Sequence, residues 1–232
     1  MADFDLAEIV DEMAGGNPVT VIEPGSPEAG RVPSRWRQVA KSTEAATRCS
    51  AALDLWNRDF LDMVPRLAEV FRERLVDVRV CVLRDDWVLL YIARDTVEPQ
   101  LTWIGWDPDA FGNAKPPFWD TLPAPAREFL TGVHAGFTGS DWESFGLIPP
   151  AHMRTFAEWA EFNDDAIAAW DKDAEIASTR MVVVTTNCGA LNYCASPDIP
   201  PGKIALVYEG DIDYEQDFGS ALDQLMSERF AP

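Results

Sequence analysis

Apolar residues recur every three or four positions between about residues 43 and 75, which is the spacing of one face of an α-helix. The stripe contains Leu53, Trp56, Phe60, Met63, Val64, Leu67, Phe71 and Leu75. Pro65 lies within it, and because a proline ring clashes with the carbonyl group four residues earlier, we expect a kink or two separate helices there. The apolar face needs a partner surface, and we expect it to pack on the sheet that follows.

Two β-rich runs come next, at residues 76–84 and 87–94, with only Asp85 and Asp86 between them. Such a short polar connection predicts a β-hairpin. The second run is apolar at both odd and even positions, which is typical of an interior strand that is covered on both faces. Residues 101–106 predict a third strand.

The stretch from residue 119 to residue 150 combines a short helix, a loop and a return to the core. The helix is predicted from apolar residues that share one stripe: Leu122, Ala126, Phe129, Leu130 and Val133. Gly132 is expected to end this helix in a left-handed conformation, which costs glycine little. An exposed loop with Asp141-Trp142-Glu143 follows, and residues 145–148 are expected to return to the core.

The remaining residues predict acidic helices, a group of strands and a final helix. Residues 153–173 have helical apolar spacing with acidic outward positions, and strands are predicted at about 181–186, 191–194 and 203–208. The chain closes with an amphipathic helix at residues 218–230. Strands occur in runs and helices occur in runs, without regular βαβ alternation, and this order predicts the α+β class.

Net charge is the strongest compositional signal. The chain holds 19 basic and 39 acidic residues, a formal net charge of −20. Residues 95–232 hold 7 basic and 23 acidic residues, whereas residues 1–94 hold 12 and 16. Such a surface repels nucleic-acid phosphates and anionic lipids and attracts basic proteins, so we expect neither a nucleic acid nor a membrane as partner. The alternative is that the charge only provides solubility.

We expect a cytoplasmic protein. No apolar run approaches the roughly 20 residues that cross a bilayer. Residues 1–13 carry five acids and no basic region, unlike a secretory signal. The four cysteines are too few and too scattered for a disulfide framework, so we expect reduced thiols.

Short sequence matches are spread along the second part of the chain. In order they are Leu122-Pro123, Phe129-Leu130, Gly136, Phe145-Gly146-Leu147, Pro149, Met153, Asn187, Gly189, Leu191-Asn192-Tyr193-Cys194, Pro201-Gly202, the strand at residues 203–208 and the last amphipathic helix. By their order and spacing, residues from about 113 to 230 resemble the SUKH superfamily, the Smi–Knr group of α+β domains. Residues 1 to about 75 lie outside this resemblance.

The resemblance implies a mixed, largely antiparallel sheet wrapped by helices, over residues 76–232. Residues 1–75 are then an N-terminal helical region, which we expect to pack on that domain. The resemblance also implies a role common among bacterial members, in which an immunity protein binds and neutralises a toxin delivered between competing cells. Other members resemble intracellular scaffolds in signalling. The family has no shared catalytic motif, so the resemblance assigns no site residue.

Few residues offer enzymatic chemistry. His134 and His152 are the only histidines, and because neither has a flanking motif, a structural or exposed role is favoured for both. Cys188, with His134 as its base, is the only visible nucleophile pair. Motifs for metal-dependent hydrolysis, phosphate binding or dinucleotide binding are missing from the sequence. We therefore expect no enzyme activity and no cofactor.

Two segments have partial metal-site patterns. Residues 209–217 alternate acids as a calcium loop does, but Gln216 stands where glycine is required and Leu222 where a glutamate belongs. Cys188 and Cys194 lack a companion histidine, and their spacing does not match a zinc site. We expect no metal at either place.

Acidic residues of the second half are the favoured toxin-binding candidates. They are Asp141, Glu143, Asp164, Asp165, Asp171, Asp173, Asp211, Asp213, Glu215 and Asp217. Toxin domains that attack nucleic acid are usually basic, so one anionic face would occupy their substrate groove by imitating phosphates. Trp142 is either an aromatic anchor of that interface or a core tryptophan. Residues 209–217 are alternatively a solvated acidic loop.

The leading hypothesis is a cytoplasmic immunity protein that neutralises a toxin by stoichiometric binding, with a basic, nuclease-type toxin favoured by the charge. The second is an intracellular scaffold or regulatory binding module whose partners are the cell's own proteins. The third is an enzyme with an unrecognised site, for which Cys188 and His134 are the visible candidates.

Overall fold

Helices and strands occur in groups along the chain, which the computed structural model describes for residues 4–95, 100–112 and 115–230. The helices are α1 (Leu6–Ala14), α2 (Arg37–Lys41), α3 (Ala45–Leu53), α4 (Arg58–Met63), α5 (Pro65–Arg74), α6 (Ala124–Gly132), α7 (Phe156–Trp159), α8 (Asp164–Asp173) and α9 (Phe218–Glu228). The strands are β1 (Val19–Val21), β2 (Leu75–Leu83), β3 (Asp86–Ala93), β4 (Leu101–Trp106), β5 (Phe137–Gly139), β6 (Val182–Thr186), β7 (Leu191–Ala195), β8 (Lys203–Tyr208) and β9 (Asp211–Asp217). The fold belongs to the α+β class, which confirms the prediction. Across the three described ranges, every helix is too short or too polar to cross a bilayer.

The strands form two antiparallel sheets. One has the order β1-β2-β3-β4-β5, and the other has the order β6-β7-β8-β9. The hairpin of β2 and β3 turns at Arg84 and Asp85, whose φ angles of 51° and 77° suit a two-residue hairpin turn. The expected hairpin is therefore confirmed, and so is the third strand, β4, which pairs with β3.

Helices cover both faces of the first sheet. Leu89 and Tyr91 of β3 belong to the hydrophobic cluster that includes residues of α2 to α5. Leu90 and Ile92 belong to a second cluster, which includes residues of α1. All four side chains are fully buried. Since neighbouring side chains point to opposite faces, cover on both sides explains why β3 is apolar at nearly every position.

The long apolar stripe of the N-terminal part is broken at Pro65, as expected, and also at residues 54–57, between α3 and α4, where no break was predicted. α4 ends at Met63 and α5 begins at Pro65, a first-turn position where a missing N–H group leaves no helical hydrogen bond unmade. Trp56, Phe60 and Phe71 of the stripe are buried. The Trp56 ring meets the Phe60 and Phe71 rings edge-on, each at 5.8 Å between centroids.

The start of α5 is capped by a residue from the other end of the chain. Val64 stands at its N-cap position and offers no side-chain acceptor. The carboxylate of Asp223, in α9, accepts hydrogen bonds from the backbone N–H groups of Arg66 (3.2 Å) and Leu67 (3.0 Å). Asp223 is buried and lies 157 positions from Arg66. The last helix thereby satisfies the free amides of an N-terminal helix.

The two sheets are joined by residues 144–148, the segment that was expected to return to the core. It is hydrogen-bonded to β5 on one side and to β6 on the other, and Ser144 forms a parallel bridge with Thr186. The backbone hydrogen bonds run from Phe137 N to Leu147 O (2.8 Å), Gly139 N to Ser144 O (2.8 Å), Phe145 N to Thr186 O (3.0 Å) and Ile148 N to Val184 O (2.9 Å). This parallel bridge is an isolated one, and both sheets are antiparallel.

The end of α6 differs from the prediction. Gly132 is the last helical residue and does not have a positive φ. The next residue, Val133, has a φ of −109°, and its N–H group donates to the carbonyl oxygen of Phe129 at 2.9 Å. The left-handed glycine comes later, at Gly136, with a φ of 118°. The expectation that Gly132 adopts a left-handed conformation was wrong, because the residue with a positive φ is Gly136, four positions later.

Replacing Gly146 with alanine should destabilise the fold. A Cβ atom there would lie 2.0 Å from the carbonyl oxygen of Phe137, a backbone atom that cannot move without disturbing β5. We expect Gly146→Ala to lower the free energy of unfolding by about 2 kcal/mol or more in urea denaturation. Gly132→Ala is the matched control, since no atom lies within 4 Å of its Cβ position, and alanine should stabilise the helix by up to about 1 kcal/mol. Equal effects of the two substitutions would contradict this account.

Candidate functional site

One carboxylate fixes the loop that follows β5. Asp141 accepts hydrogen bonds from the backbone N–H groups of Glu143 (3.1 Å) and Ser144 (3.0 Å) and from the Ser144 hydroxyl (2.5 Å). Aspartate suits such turns because its short side chain reaches the backbone two or three residues on. Burial raises the pKa of the Asp141 carboxyl, but hydrogen bonds from Ser144, Glu143 and Cys188 outweigh burial and hold this pKa below its ordinary value. An ionised Asp141 is therefore part of the framework of the loop.

Trp142 is partly buried between two exposed acids, Asp141 and Glu143. Its ring meets the Trp106 ring edge-on at 6.0 Å between centroids, and the Arg84 guanidinium lies 4.5 Å from its centroid. Its φ of 71° is uncommon for a bulky residue. Trp142 therefore has features of both a core tryptophan and an interface anchor, because it packs on Trp106 and yet stays partly accessible.

Two surface cavities meet at Trp142. The larger, of about 510 Å³, is lined by Asp141, Trp142, Glu143, His152, Arg154, Trp159 and Glu161. The smaller, of about 300 Å³, is lined by Arg84, Asp86, Trp106, Ala110, Ala135, Trp142, Pro149, Ala151 and His152. Together they are called the Trp142 groove below. The larger cavity is acidic, because three carboxylates face one arginine, and the smaller one has mostly apolar walls.

Cys188 reaches the same loop from the turn between β6 and β7. Its side chain is exposed, and Asp141 and Ser144 act on its thiol. Partial burial and the negative charge of Asp141 raise the pKa of the Cys188 thiol above its ordinary value. Because nucleophilic cysteines depend on a lowered pKa, this environment opposes thiolate catalysis.

His134 lies in the core, within a chain of hydrogen bonds. Its Nε2 atom lies 2.8 Å from the Tyr91 hydroxyl, and its Nδ1 atom lies 3.3 Å from the carbonyl oxygen of Trp106. Trp56 Nε1 donates to the Tyr91 hydroxyl at 3.2 Å. These partners suit the tautomer with a proton on Nδ1, which donates to the carbonyl, while Tyr91 donates to Nε2. Burial lowers the pKa of His134 to about 3, so the ring is neutral at pH 7.

The structure does not bring Cys188 and His134 together as a nucleophile and its base. Tyr91 and Trp106 engage both ring nitrogens of His134, whereas the thiol of Cys188 is influenced by Asp141 and Ser144, at the loop after β5. The other histidine, His152, is exposed and lines the Trp142 groove. Among the residues that the structure describes, no group of three or more His, Cys, Asp or Glu side chains is placed to hold a metal ion.

The acidic candidates on α8 lie at both ends of that helix. Asp164 and Asp165 occupy its first turn, Asp171 and Asp173 lie near its end, and all four are exposed. Acids in a first turn interact favourably with the helix dipole, which gives Asp164 and Asp165 a structural role as well. The Asp171 carboxylate accepts a hydrogen bond from the backbone of Ser178 at 3.0 Å.

The acidic candidates on β9 are divided between the two faces of this edge strand. Asp211 pairs with Tyr208 and Asp213 pairs with Leu206, which places both acids on one face. An irregularity between Asp213 and Gln216 shifts the register, so that Asp217 pairs with Lys203 on the other face. Glu215 lies within this irregularity and is exposed.

Glu175, just after α8, raises the pKa of Tyr214 on β9 through a side-chain hydrogen bond and its negative charge. The acids expected to form one anionic face lie on the loop after β5, on α8 and on β9.

Several residues of the Trp142 groove were not among the candidates predicted from the sequence. They are His152, Arg154, Trp159 and Glu161. One signal was available, since Arg154 is the only lysine or arginine between Arg127 and Lys172. Trp159 gave no signal, because its place in a helical pattern is equally typical of a core residue.

Stability should fall below pH 6.5 because of His134. Unfolded His134 takes up a proton near its ordinary pKa of 6.5, whereas the folded protein resists protonation until the pH is about 3. The contribution of neutral His134 is thus complete above pH 6.5 and is lost as the pH falls, by up to about 1.4 kcal/mol per pH unit. Urea denaturation between pH 5 and 7.5 should show this slope, which His134→Gln should flatten. The control His152→Gln should retain the slope, and a slope that survives His134→Gln would refute the assignment.

Cys188 should react slowly with iodoacetamide at neutral pH. The other three cysteines are buried, so alkylation of the folded protein reports on Cys188. When the alkylation rate is plotted against pH, we expect its midpoint to lie above the ordinary thiol pKa of 9.0. Asp141→Asn should move the midpoint down by removing the negative charge, and Glu143→Gln, a charge change in the same loop, should not. A wild-type midpoint below 9.0 would instead favour a catalytic thiol.

Compared with models of protein families, with curated proteins and with solved structures, the chain matches none of them. The resemblance to the SUKH superfamily therefore stays a prediction.

Proposed function

We propose that this protein is a SUKH-like immunity protein, which acts in the cytoplasm and neutralises a basic toxin by stoichiometric binding. In this proposal the toxin is of the nuclease type. Nucleic acids and membranes are not partners, and neither catalysis nor a cofactor is required. The α+β class agrees with the resemblance to that superfamily.

The observation that carries the proposal is the position of Trp142. It is a partly buried aromatic ring between two exposed carboxylates, at the meeting point of an acidic cavity and an apolar one. Aromatic residues of this kind dominate the binding energy of many protein interfaces, while surrounding polar groups exclude water and set the choice of partner. An interface centred on Trp142 would offer a basic protein both an anchor and opposite charge.

Charge supports the proposal at longer range. A net charge of −20, concentrated in residues 95–232, creates a field that accelerates encounter with a basic protein. The acids of α8 and β9 contribute to this field without having to touch the partner. We assign them to steering and the Trp142 loop to contact.

Co-expression with the product of the neighbouring gene tests the proposal. If that gene encodes a toxin, the protein should restore growth, co-purify with the toxin as a stoichiometric complex and associate more slowly as NaCl rises from about 0.05 M to about 0.5 M. No rescue and no complex would overturn the immunity function. A complex with one of the host's own proteins, without any effect on growth, would favour the scaffold alternative.

Trp142→Ala should weaken the complex by about 2 kcal/mol or more, measured by calorimetry, because it removes the proposed anchor. Tyr208→Ala is the control, since Tyr208 is a large aromatic residue that is 50% exposed but lies on β8. A larger loss for Tyr208→Ala than for Trp142→Ala would place the contact elsewhere.

A further inference from the structure

We propose that the Trp142 groove binds an extended peptide segment of the partner that carries a lysine or arginine side chain. Backbone carbonyl oxygens of the segment accept hydrogen bonds from the indole N–H groups of Trp106 and Trp142, and the cationic side chain reaches the acids of the larger cavity. The inference rests on the proposed function, because it names the part of the protein partner that the same site recognises.

Two hydrogen-bond donors without a partner support the part of the proposal that concerns the backbone of the bound segment. The Nε1 atoms of Trp106 and Trp142 are buried and have no hydrogen-bond partner among the described residues. Trp106 as a whole is only 9% exposed. Both side chains line the smaller cavity. Because a buried donor without an acceptor is costly, a ligand that brings acceptor oxygens gains from both groups.

The larger cavity of the groove selects a positively charged side chain of the bound segment. Asp141, Glu143 and Glu161 line the larger cavity, and Arg154 is the only lysine or arginine there. Trp159 adds aromatic surface to the same cavity, and aromatic faces attract a lysine or arginine cation. The two cavities share Trp142 and His152, so one extended segment can occupy both.

A peptide segment satisfies both halves better than other occupants. A small anion would accept the indole hydrogen bonds but would be repelled by the neighbouring carboxylates. A second copy of this chain would bring another net charge of −20 to an acidic surface. A neutral backbone with a basic side chain offers acceptors and positive charge at once.

Short capped peptides provide the probe, and indole N–H resonances in two-dimensional NMR spectra provide the readout. The probe is acetyl-Gly-Arg-Gly-amide at millimolar concentration, and the control peptide has Glu in place of Arg. The Arg peptide should shift the Trp106 and Trp142 indole resonances, which Trp106→Phe and Trp142→Phe identify by deleting them. The Glu peptide should bind at least about threefold more weakly. Unmoved indole resonances, or equal binding of both peptides, would overturn the proposal.

Paired variants test the charge selection. Glu143→Gln with Glu161→Gln removes two charges from the groove and spares Asp141, which holds the loop. Asp211→Asn with Glu215→Gln makes the same change in charge on β9. We expect the groove pair to weaken binding of the Arg peptide about threefold or more and the β9 pair to leave it unchanged. Equal effects of the two pairs would mean attraction by net charge alone and would overturn the proposed site.

The two proposals fail in different ways. If the toxin is neutralised but the Glu143→Gln, Glu161→Gln protein binds it as tightly as the wild type, the groove inference is wrong and the immunity function stands. If the groove binds the Arg peptide as expected but no toxin is neutralised, the immunity function is wrong and the groove remains a peptide-binding site.

Discussion

Backbone hydrogen bonding along residues 144–148 is the constraint on which the rest of the molecule depends. This segment has β5 on one side and β6 on the other, so it turns two separate antiparallel sheets into one continuous arrangement. Its close approach to β5 requires a residue without a side chain at Gly146. The same segment begins at Ser144, whose backbone and hydroxyl bind Asp141. The loop that presents Trp142 is therefore fixed by the junction of the two sheets.

A series of buried hydrogen bonds joins the first sheet to the segments that pack on it. Trp56 comes from the connection between α3 and α4, Tyr91 from β3 and His134 from the turn after α6, and each is hydrogen-bonded to the next. A second polar contact, the buried pair of Arg48 and Asp77, joins α3 to β2 with N···O distances of 2.7 and 2.8 Å. Because buried polar groups are costly unless they are satisfied, such contacts specify one arrangement of the helices on the sheet.

Much of the fold was predictable because it follows from local patterns. The break at Pro65, the β2–β3 hairpin and the strands β6, β7 and β8 all arise from spacing, proline chemistry or turn composition. The expectation of a loop at residues 209–217 was wrong, because β9 pairs with β8 there. The separation into two sheets was not predictable, since it depends on which backbone groups residues 144–148 meet. The position of Gly136, and not Gly132, as the left-handed glycine has the same origin in tertiary contacts.

The candidate site was predictable only in part. Asp141-Trp142-Glu143 could be singled out from its sequence, but Arg154, Trp159 and Glu161 come to it through the packing of a later segment. The acids of β9 could not be placed on a face from alternation alone, because the irregularity after Asp213 changes which side Asp217 occupies. Side-chain alternation predicts the two faces of a regular strand. An irregularity in the strand can be located only when the pairing with its partner strand is known.

The cap that Asp223 provides to α5 has a consequence for synthesis on the ribosome. Residues 65–74 emerge early, but the carboxylate that satisfies their first amides is made 157 positions later than Arg66. Until α9 leaves the exit tunnel, the N-terminal helices lack this contact and the apolar surface that α9 covers. Proteins dominated by such distant contacts fold slowly, and incomplete chains expose surface that aggregates. Truncation near the C-terminus is therefore expected to disturb the beginning of the fold as much as its end.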